Sequence, residues 1–400
     1  MRILLTANAS YAPPRGGATR SNLVWLDRLA RAGHSCRVVS GGAGEGAEMR
    51  RHESIAILSV HDPARRIEAL RREIREFAPD WVLVSSEDLG HGLLREASHS
   101  AEGRVVYLAH TPQFYPFGPA AWNPEPQAAA LVSHAAGIVA IGRHMAAYIE
   151  RAIGRAPAVI HPPLYGPGPF PVHACVDRGF LLMLNPCAVK GLPIFLEVAA
   201  RLPSLAFAVV PGWGTTAEDR RAIQKHPNVR ILPNPRSIDE VFAETRLLLM
   251  PSLWFEGFGL IVMEAMLRGI PVIASNSGGL EDAKCGTGYV IPVEPIRSFQ
   301  QAYDEHAMPR PVLGPVDPHP WVHAIQELLS RRAAYEKESA ASREAGARFV
   351  AGLDPDAFER YLQNLRPAAA EAPAHATVES LSPARRALLL DRLHRRKMVH

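Results

Sequence analysis

The chain has 400 residues, of which 47% are hydrophobic and 21% charged, with a formal net charge of +4. That length and balance fit a globular protein of two ordinary domains, and the small charge gives no concentrated basic face for nucleic acid. Cys36, Cys175, Cys187 and Cys285 are far apart and form no Cys-x-x-Cys, so they read as buried free thiols of a reducing compartment rather than as a disulfide or metal framework.

Met1-Arg2-Ile3-Leu4-Leu5 is too short an apolar run for a secretory leader. No stretch reaches the roughly 20 apolar residues that span a bilayer. The expectation is a cytoplasmic protein without a transmembrane segment.

In chain order, Arg2–Ala7 reads as a buried parallel strand, followed by the Pro/Gly loop that ends in Gly16-Gly17. A helix then places Leu23, Leu26, Leu29 and Ala30 on one face and closes at Gly33. Further strands are predicted at Cys36–Ser40, Trp81–Val84, Val105–Ala109, Gly137–Ile141 and Ala158–His161, with helical segments between most of them. Alternation of this kind means a parallel sheet covered by helices. The proline-rich run from His161 to Pro169 reads as a linker.

The alternation restarts at Phe180–Leu184 and continues through Phe207–Val210, Val229–Leu232, Leu247–Met250, Pro271–Ala274 and Tyr289–Ile291. The predicted fold is α/β, with two Rossmann-like domains facing across a cleft. Residues 1–165 form the N-terminal Rossmann-like domain and 166–366 the C-terminal one, whose last helix is free to pack back on the first. Glu294 to Pro320 reads as an irregular loop. Residues 367–400 read as an Ala/Pro tether and a short helix, with Ser382 as N-cap, Pro383 at its first position, and Leu389, Leu390 and Leu393 on one face.

The informative stretch is Pro251-Ser252-Leu253-Trp254-Phe255-Glu256-Gly257-Phe258-Gly259-Leu260, continuing to Glu264-Ala265-Met266. It follows a strand, and Gly257 and Gly259 flank the turn from which a helix starts. Such a helix N-terminus exposes amide donors to a phosphate. Glu256 precedes the helix, and Glu264 lies about 7 Å along it at about 1.5 Å per residue. Two carboxylates so spaced suit different hydroxyls of one extended ligand. Glu264 stands in an otherwise apolar helix, where an unpaired acid is costly.

These residues resemble the retaining GT-B glycosyltransferases of family 4 (glycosyl transferases group 1). The likeness is carried by Glu-x7-Glu, the Glu-Gly-Phe-Gly and Glu-Ala-Met around it, and Ser277-Gly278-Gly279-Leu280-Glu281. It runs from residue 1 to about 365. The resemblance implies that Glu256 lies by the donor sugar and that Glu264 holds the nucleotide ribose. Lys190, in Lys190-Gly191, would meet the diphosphate, and His110 the donor sugar at the reaction centre. Gly16 and Gly17, Gly212 of Gly212-Trp213-Gly214, and the turn from Gly257 and Phe258 to Gly259 and Leu260 would approach donor phosphate or acceptor through backbone. The base would lie near Leu232-Pro233. Asn185 stands where most members carry an arginine, which leaves Lys190 and the turn amides with more of the charge.

No Asp-x-Asp stands at a strand end, so the expected transfer uses no metal and no cofactor beyond a UDP- or GDP-sugar co-substrate. The implied partner is a hydroxyl acceptor. The tail from Leu381 to Leu389 resembles linker helices of peptide and polyketide synthases, which points to a secondary metabolite and to tail docking or a homodimer. A sugar-nucleotide epimerase, a phosphorylase and a non-catalytic partner on the same fold remain as alternatives.

Overall fold

The computed structural model describes residues 1–14, 16–42 and 46–369. The helix expected from Ser382 and most of the tether lie outside the described residues.

The first half runs through β1 (Arg2–Ser10), α1 (Gly17–Arg31), β2 (Ser35–Gly41), β3 (Ala47–His52), β4 (Ile55–Val60) and α2 (Pro63–Phe77). It continues with β5 (Trp81–Ser85), α3 (Gly92–Ser100), β6 (Val105–Ala109), α4 (Pro126–Ser133), β7 (Gly137–Ala140), α5 (Arg143–Ile153) and β8 (Ala158–Val159). Its sheet order is β3-β4-β2-β1-β5-β6-β7-β8. Each neighbouring pair is parallel except β3 with β4. Along β1, Ile3 and Leu5 enter one core and Leu4 the other, so the strand is apolar on both faces.

The second half holds β9 (Phe180–Leu184), α6 (Leu192–Arg201), β10 (Phe207–Val210), α7 (Ala217–Gln224), β11 (Val229–Ile231) and α8 (Ile238–Phe242). Then come β12 (Thr245–Met250), α9 (Leu260–Leu267), β13 (Val272–Ser275), α10 (Leu280–Lys284) and β14 (Val290–Ile291). The order is β11-β10-β9-β12-β13-β14, parallel throughout.

Both sheets reverse strand order beside their first strand: between β1 and β5, and between β9 and β12. Loops leaving the carboxyl ends of such neighbours part to opposite faces and open a crevice. In the second half those loops are Asn185–Lys190 and Pro251–Glu256, which carry the expected donor residues.

The expectation of an irregular segment at 294–320 is corrected. It contains an antiparallel hairpin, β15 (Phe299–Tyr303) and β16 (Pro309–Pro311). The hairpin tip is fastened to the start of α7, where the Ala217 amide donates to Glu305 Oε1 at 2.8 Å. His306 Nε2 lies 3.1 Å from the Thr215 carbonyl.

Three helices follow: α11 (His319–Ser330), α12 (Arg332–Ala351) and α13 (Ala357–Asn364). Helix α12 packs on α9 beside Met263 and Leu267. Helix α13 lies on the first sheet, where Trp81 Nε1 donates to the Leu362 carbonyl at 3.1 Å and Phe358 stacks on Trp25 at 4.6 Å. The chain therefore passes between the halves twice, after β8 and again after α12. No helix among the described residues is long and apolar enough to cross a membrane.

Candidate active site

The turn after β9 closes at Gly191, and Lys190 ends its short 3₁₀ segment. Lys190 Nζ lies 2.6 Å from Glu256 Oε1. The same oxygen accepts from Ser252 Oγ at 2.6 Å, while Oε2 takes no hydrogen bond from the described residues. The ammonium also sits 5.5 Å from the Trp254 ring and 5.9 Å from the Trp213 ring. Aromatic walls and low exposure strengthen charge interactions here relative to water.

The Glu256 backbone is fixed by a bridge to Gly278, with the Gly279 amide donating to the Glu256 carbonyl at 2.8 Å. Helix α9 starts immediately after, with Gly259 as N-cap at φ +97° and Leu260 as its first residue. The left-handed Gly259 conformation suits a residue without Cβ. Phe258 is different: its ring is buried 4.2 Å from His161 and 5.3 Å from Phe349. Its side chain packs, and only its backbone is offered to the crevice.

The first half meets this turn closely. Gly257 is pressed against the His110 carbonyl, and a Cβ at Gly17 would lie 3.1 Å from Leu260 Cδ1. The start of α1, whose N-cap Gly16 has φ +96°, thus faces the start of α9. His110 follows β6 and is buried. Its Nε2 lies 2.8 Å from Asn22 Oδ1. The Asn22 amide nitrogen donates to Tyr11 Oη at 2.7 Å and Ser85 Oγ at 3.2 Å, so Oδ1 is the acceptor and His110 carries its proton on Nε2. Burial lowers the imidazole pKa to about 3. His110 is a neutral ring whose Nδ1 is buried without a partner.

Glu264, the fifth residue of α9, is buried, and its Oε1 accepts from Arg20 Nη2 of α1 at 3.0 Å. Asn185 adopts φ +55°, and its Oδ1 accepts from the Gly214 amide at 2.9 Å. Its Nδ2 is buried without a partner. Gly212 donates its amide to Thr215 Oγ1 at 3.0 Å, holding the Gly212–Gly214 turn. Leu232 stands just past β11, where its amide donates to the Val209 carbonyl at 2.8 Å.

The structure thus joins Lys190 with Glu256, His110 with Gly257, Gly17 with Leu260, and Asn185 with Gly214. Leu232 has no such contact with the others. Sequence reasoning missed Arg20, Asn22 and Ser252. Only Arg20 had a signal: a buried acid at Glu264 demands a cation. Among the described residues no group of three or more His, Cys, Asp or Glu is placed to hold a metal ion.

Two largely parallel α/β sheets of this order, the first with one antiparallel edge strand, match the GT-B architecture, and solved structures share it. A sucrose-phosphate synthase from Thermosynechococcus elongatus superposes with a TM-score of 0.68 at 16% identity, covering 91% of this chain and 98% of its own. Anabaena HepE, solved in complex with UDP and glucose, gives 0.62 at 15% identity, covering 91% and 99%. A trehalose-6-phosphate synthase gives 0.60 at 11%, covering 92% and 100%.

Residues 15–164 match the profile described as Glycosyltransferase Family 4, and residues 179–306 that described as Glycosyl transferases group 1. The chain belongs to the family 4, group 1 glycosyltransferases. An uncharacterized 41.2 kDa protein in the cps region of Klebsiella pneumoniae is 36% identical over 75 residues. That stretch spans 18% of this chain and 21% of the Klebsiella protein.

Proposed function

We propose that the protein transfers a sugar from a nucleotide-sugar to a hydroxyl acceptor with retained configuration and without a metal. The observation that carries this is the Lys190–Glu256 pair at the second sheet's crevice, beside the N-terminus of α9. Lys190 and the first-turn amides of α9 supply positive potential where a diphosphate leaving group gathers charge. Glu256, with one oxygen unused, accepts from sugar hydroxyls and stabilises positive charge developing on the ring. Glu264 accepts from ribose hydroxyls.

His110, neutral with an unpartnered Nδ1, accepts a hydrogen bond from a sugar hydroxyl and stays neutral. The acceptor enters over the first half and attacks on the face the diphosphate leaves, which takes up the acceptor proton. No side chain needs to form a covalent intermediate. Two similar structures support the reading: HepE binds UDP-glucose, and the trehalose-6-phosphate synthase is described as transferring with retention. The likeness of the tail to synthase linker helices supports a peptide or polyketide acceptor.

The test incubates the full chain with UDP-, GDP-, ADP- and dTDP-sugars, with and without polyketide and peptide alcohols and with EDTA. Release of nucleoside diphosphate in EDTA, and a product with the donor's anomeric configuration by NMR, are expected. An inverted product or a strict metal requirement rejects the mechanism. Epimerised sugar-nucleotide, or turnover that needs phosphate as acceptor, replaces the function. Tight nucleotide binding without any turnover makes the chain a non-catalytic partner.

A further inference from the structure

We propose that Arg20 is a donor-binding residue, contributed by the first half, that takes negative charge from the nucleoside diphosphate. The inference rests on the nucleotide-sugar reading above and adds a ligand to it from across the cleft.

Arg20 lies in the first turn of α1, three residues beyond the point where Gly17 touches Leu260. From there its Nη2 reaches Glu264 Oε1 at 3.0 Å. The two partners are not equal. The Glu264 side chain is 9% exposed and that of Arg20 50%, so the acid is fixed and the guanidinium is open to the cleft. Arg20 presents five N–H donors in a fork, and the structure engages Nη2 alone. A carboxylate likewise has room for ribose hydroxyls on its second oxygen while it keeps its cation. Beside the pair is a cavity of about 460 Å³, lined by Arg20, Tyr165, Arg236, Ser237, Glu264 and Arg268.

Charge makes the case specific. Lys190 is neutralised by Glu256. Asn185 is uncharged, and its amide oxygen is occupied by Gly214. Arg268 is held in a two-point contact by Asp239, at 2.5 and 2.9 Å. Counting Lys190, Glu256, Glu264 and Arg236 of the cavity, the charges cancel, so Arg20 supplies the net positive charge that an incoming diphosphate meets. Its bidentate geometry matches phosphate oxygens.

The test measures calorimetric affinities of UDP, GDP, ADP and dTDP, and of the matching nucleosides, for the full chain and for R20Q, R20M and R20K. For whichever diphosphate binds the wild type best, R20Q and R20M are expected to lose roughly tenfold or more in affinity. Affinity for the nucleoside should stay within about twofold, and R20K should fall between. Thermal unfolding of each variant confirms that it folds; R20Q and R20M, which leave the buried Glu264 without its cation, should melt somewhat below the wild type and R20K close to it. An equal loss for nucleoside and diphosphate makes Arg20 a latch on Glu264 and overturns the inference. So does an unchanged diphosphate affinity in either folded variant. Failure of the wild type to bind any of the four overturns the nucleotide-sugar reading, and this inference with it.

Discussion

Lys190 Nζ and Glu256 Oε1 lie 2.6 Å apart with both side chains about nine-tenths shut from water. Neither charge is cheap to bury alone, so each makes the other tolerable at the crevice. Removing one partner of a buried pair costs about 3 kcal/mol, whereas removing both is often neutral. K190M should therefore lower the melting temperature, and the double variant K190M/E256Q should recover most of the loss. Turnover should fall by about 100-fold or more in E256Q and should not return in the double variant. Recovery of stability without activity in thermal melts and donor-release assays separates the two roles. Recovery of both would remove the chemical role from the pair.

Two groups of the first half give opposite pH signatures. Burial pushes the Glu87 carboxyl from its ordinary 4.5 up to about 7, with a hydrogen bond from Ser85 pulling the other way. The folded state holds that proton more tightly, so its stabilising effect is complete below 4.5 and lost as pH rises through 7. E87Q stays neutral and keeps it. The variant should melt with the wild type near pH 4 and increasingly above it from pH 5 to 8. His110 is shifted down from 6.5 to about 3 by burial. Stability from its neutral form is complete above 6.5 and drains away as pH falls toward 3. H110Q should show a shallower acid slope than the wild type across that window. Melts at fixed ionic strength check both, and wild-type slopes in both variants would contradict the burial that causes the shifts.

Gly257 is held against the His110 carbonyl, with the Ile141 side chain also close. The obstacle is backbone, which cannot rotate aside as a side chain would. G257A should force the α9 turn away from β6, costing about 1–3 kcal/mol of stability as overpacking does. Transfer should fall by more than that loss explains, because the turn carries Glu256. Wild-type transfer in a folded G257A would show that the close approach is dispensable.

Much of the scaffold could be read from residue pattern alone. Val105–Ala109, Phe180–Leu184 and Phe207–Val210 are apolar on both faces and bounded by turns, and their limits agree with the structure. By contrast, β3 reads Ala-Glu-Met-Arg-Arg-His and lies mostly exposed at the sheet edge. An edge strand needs no apolar alternation, so nothing in its composition announces it. The hairpin at 299–311 was hidden by its prolines, which suit so short an exposed pair. In the site, the local motif revealed Glu256, Glu264 and the Gly259 turn. Arg20, 244 residues from Glu264, and Asn22, 88 from His110, are partners only through folding. No spacing rule reaches that far.

The two crossings of the chain lie side by side, for His161 on the first meets Phe349 on the approach to the second with rings 5.0 Å apart. Phe258 is wedged against both rings. The halves are thus tied by one aromatic cluster where the chain crosses, beside the direct contacts of Gly17 with Leu260 and Arg20 with Glu264. A residue two places from Glu256 belongs to that cluster, so a shift of one half against the other acts on the turn that presents the acid.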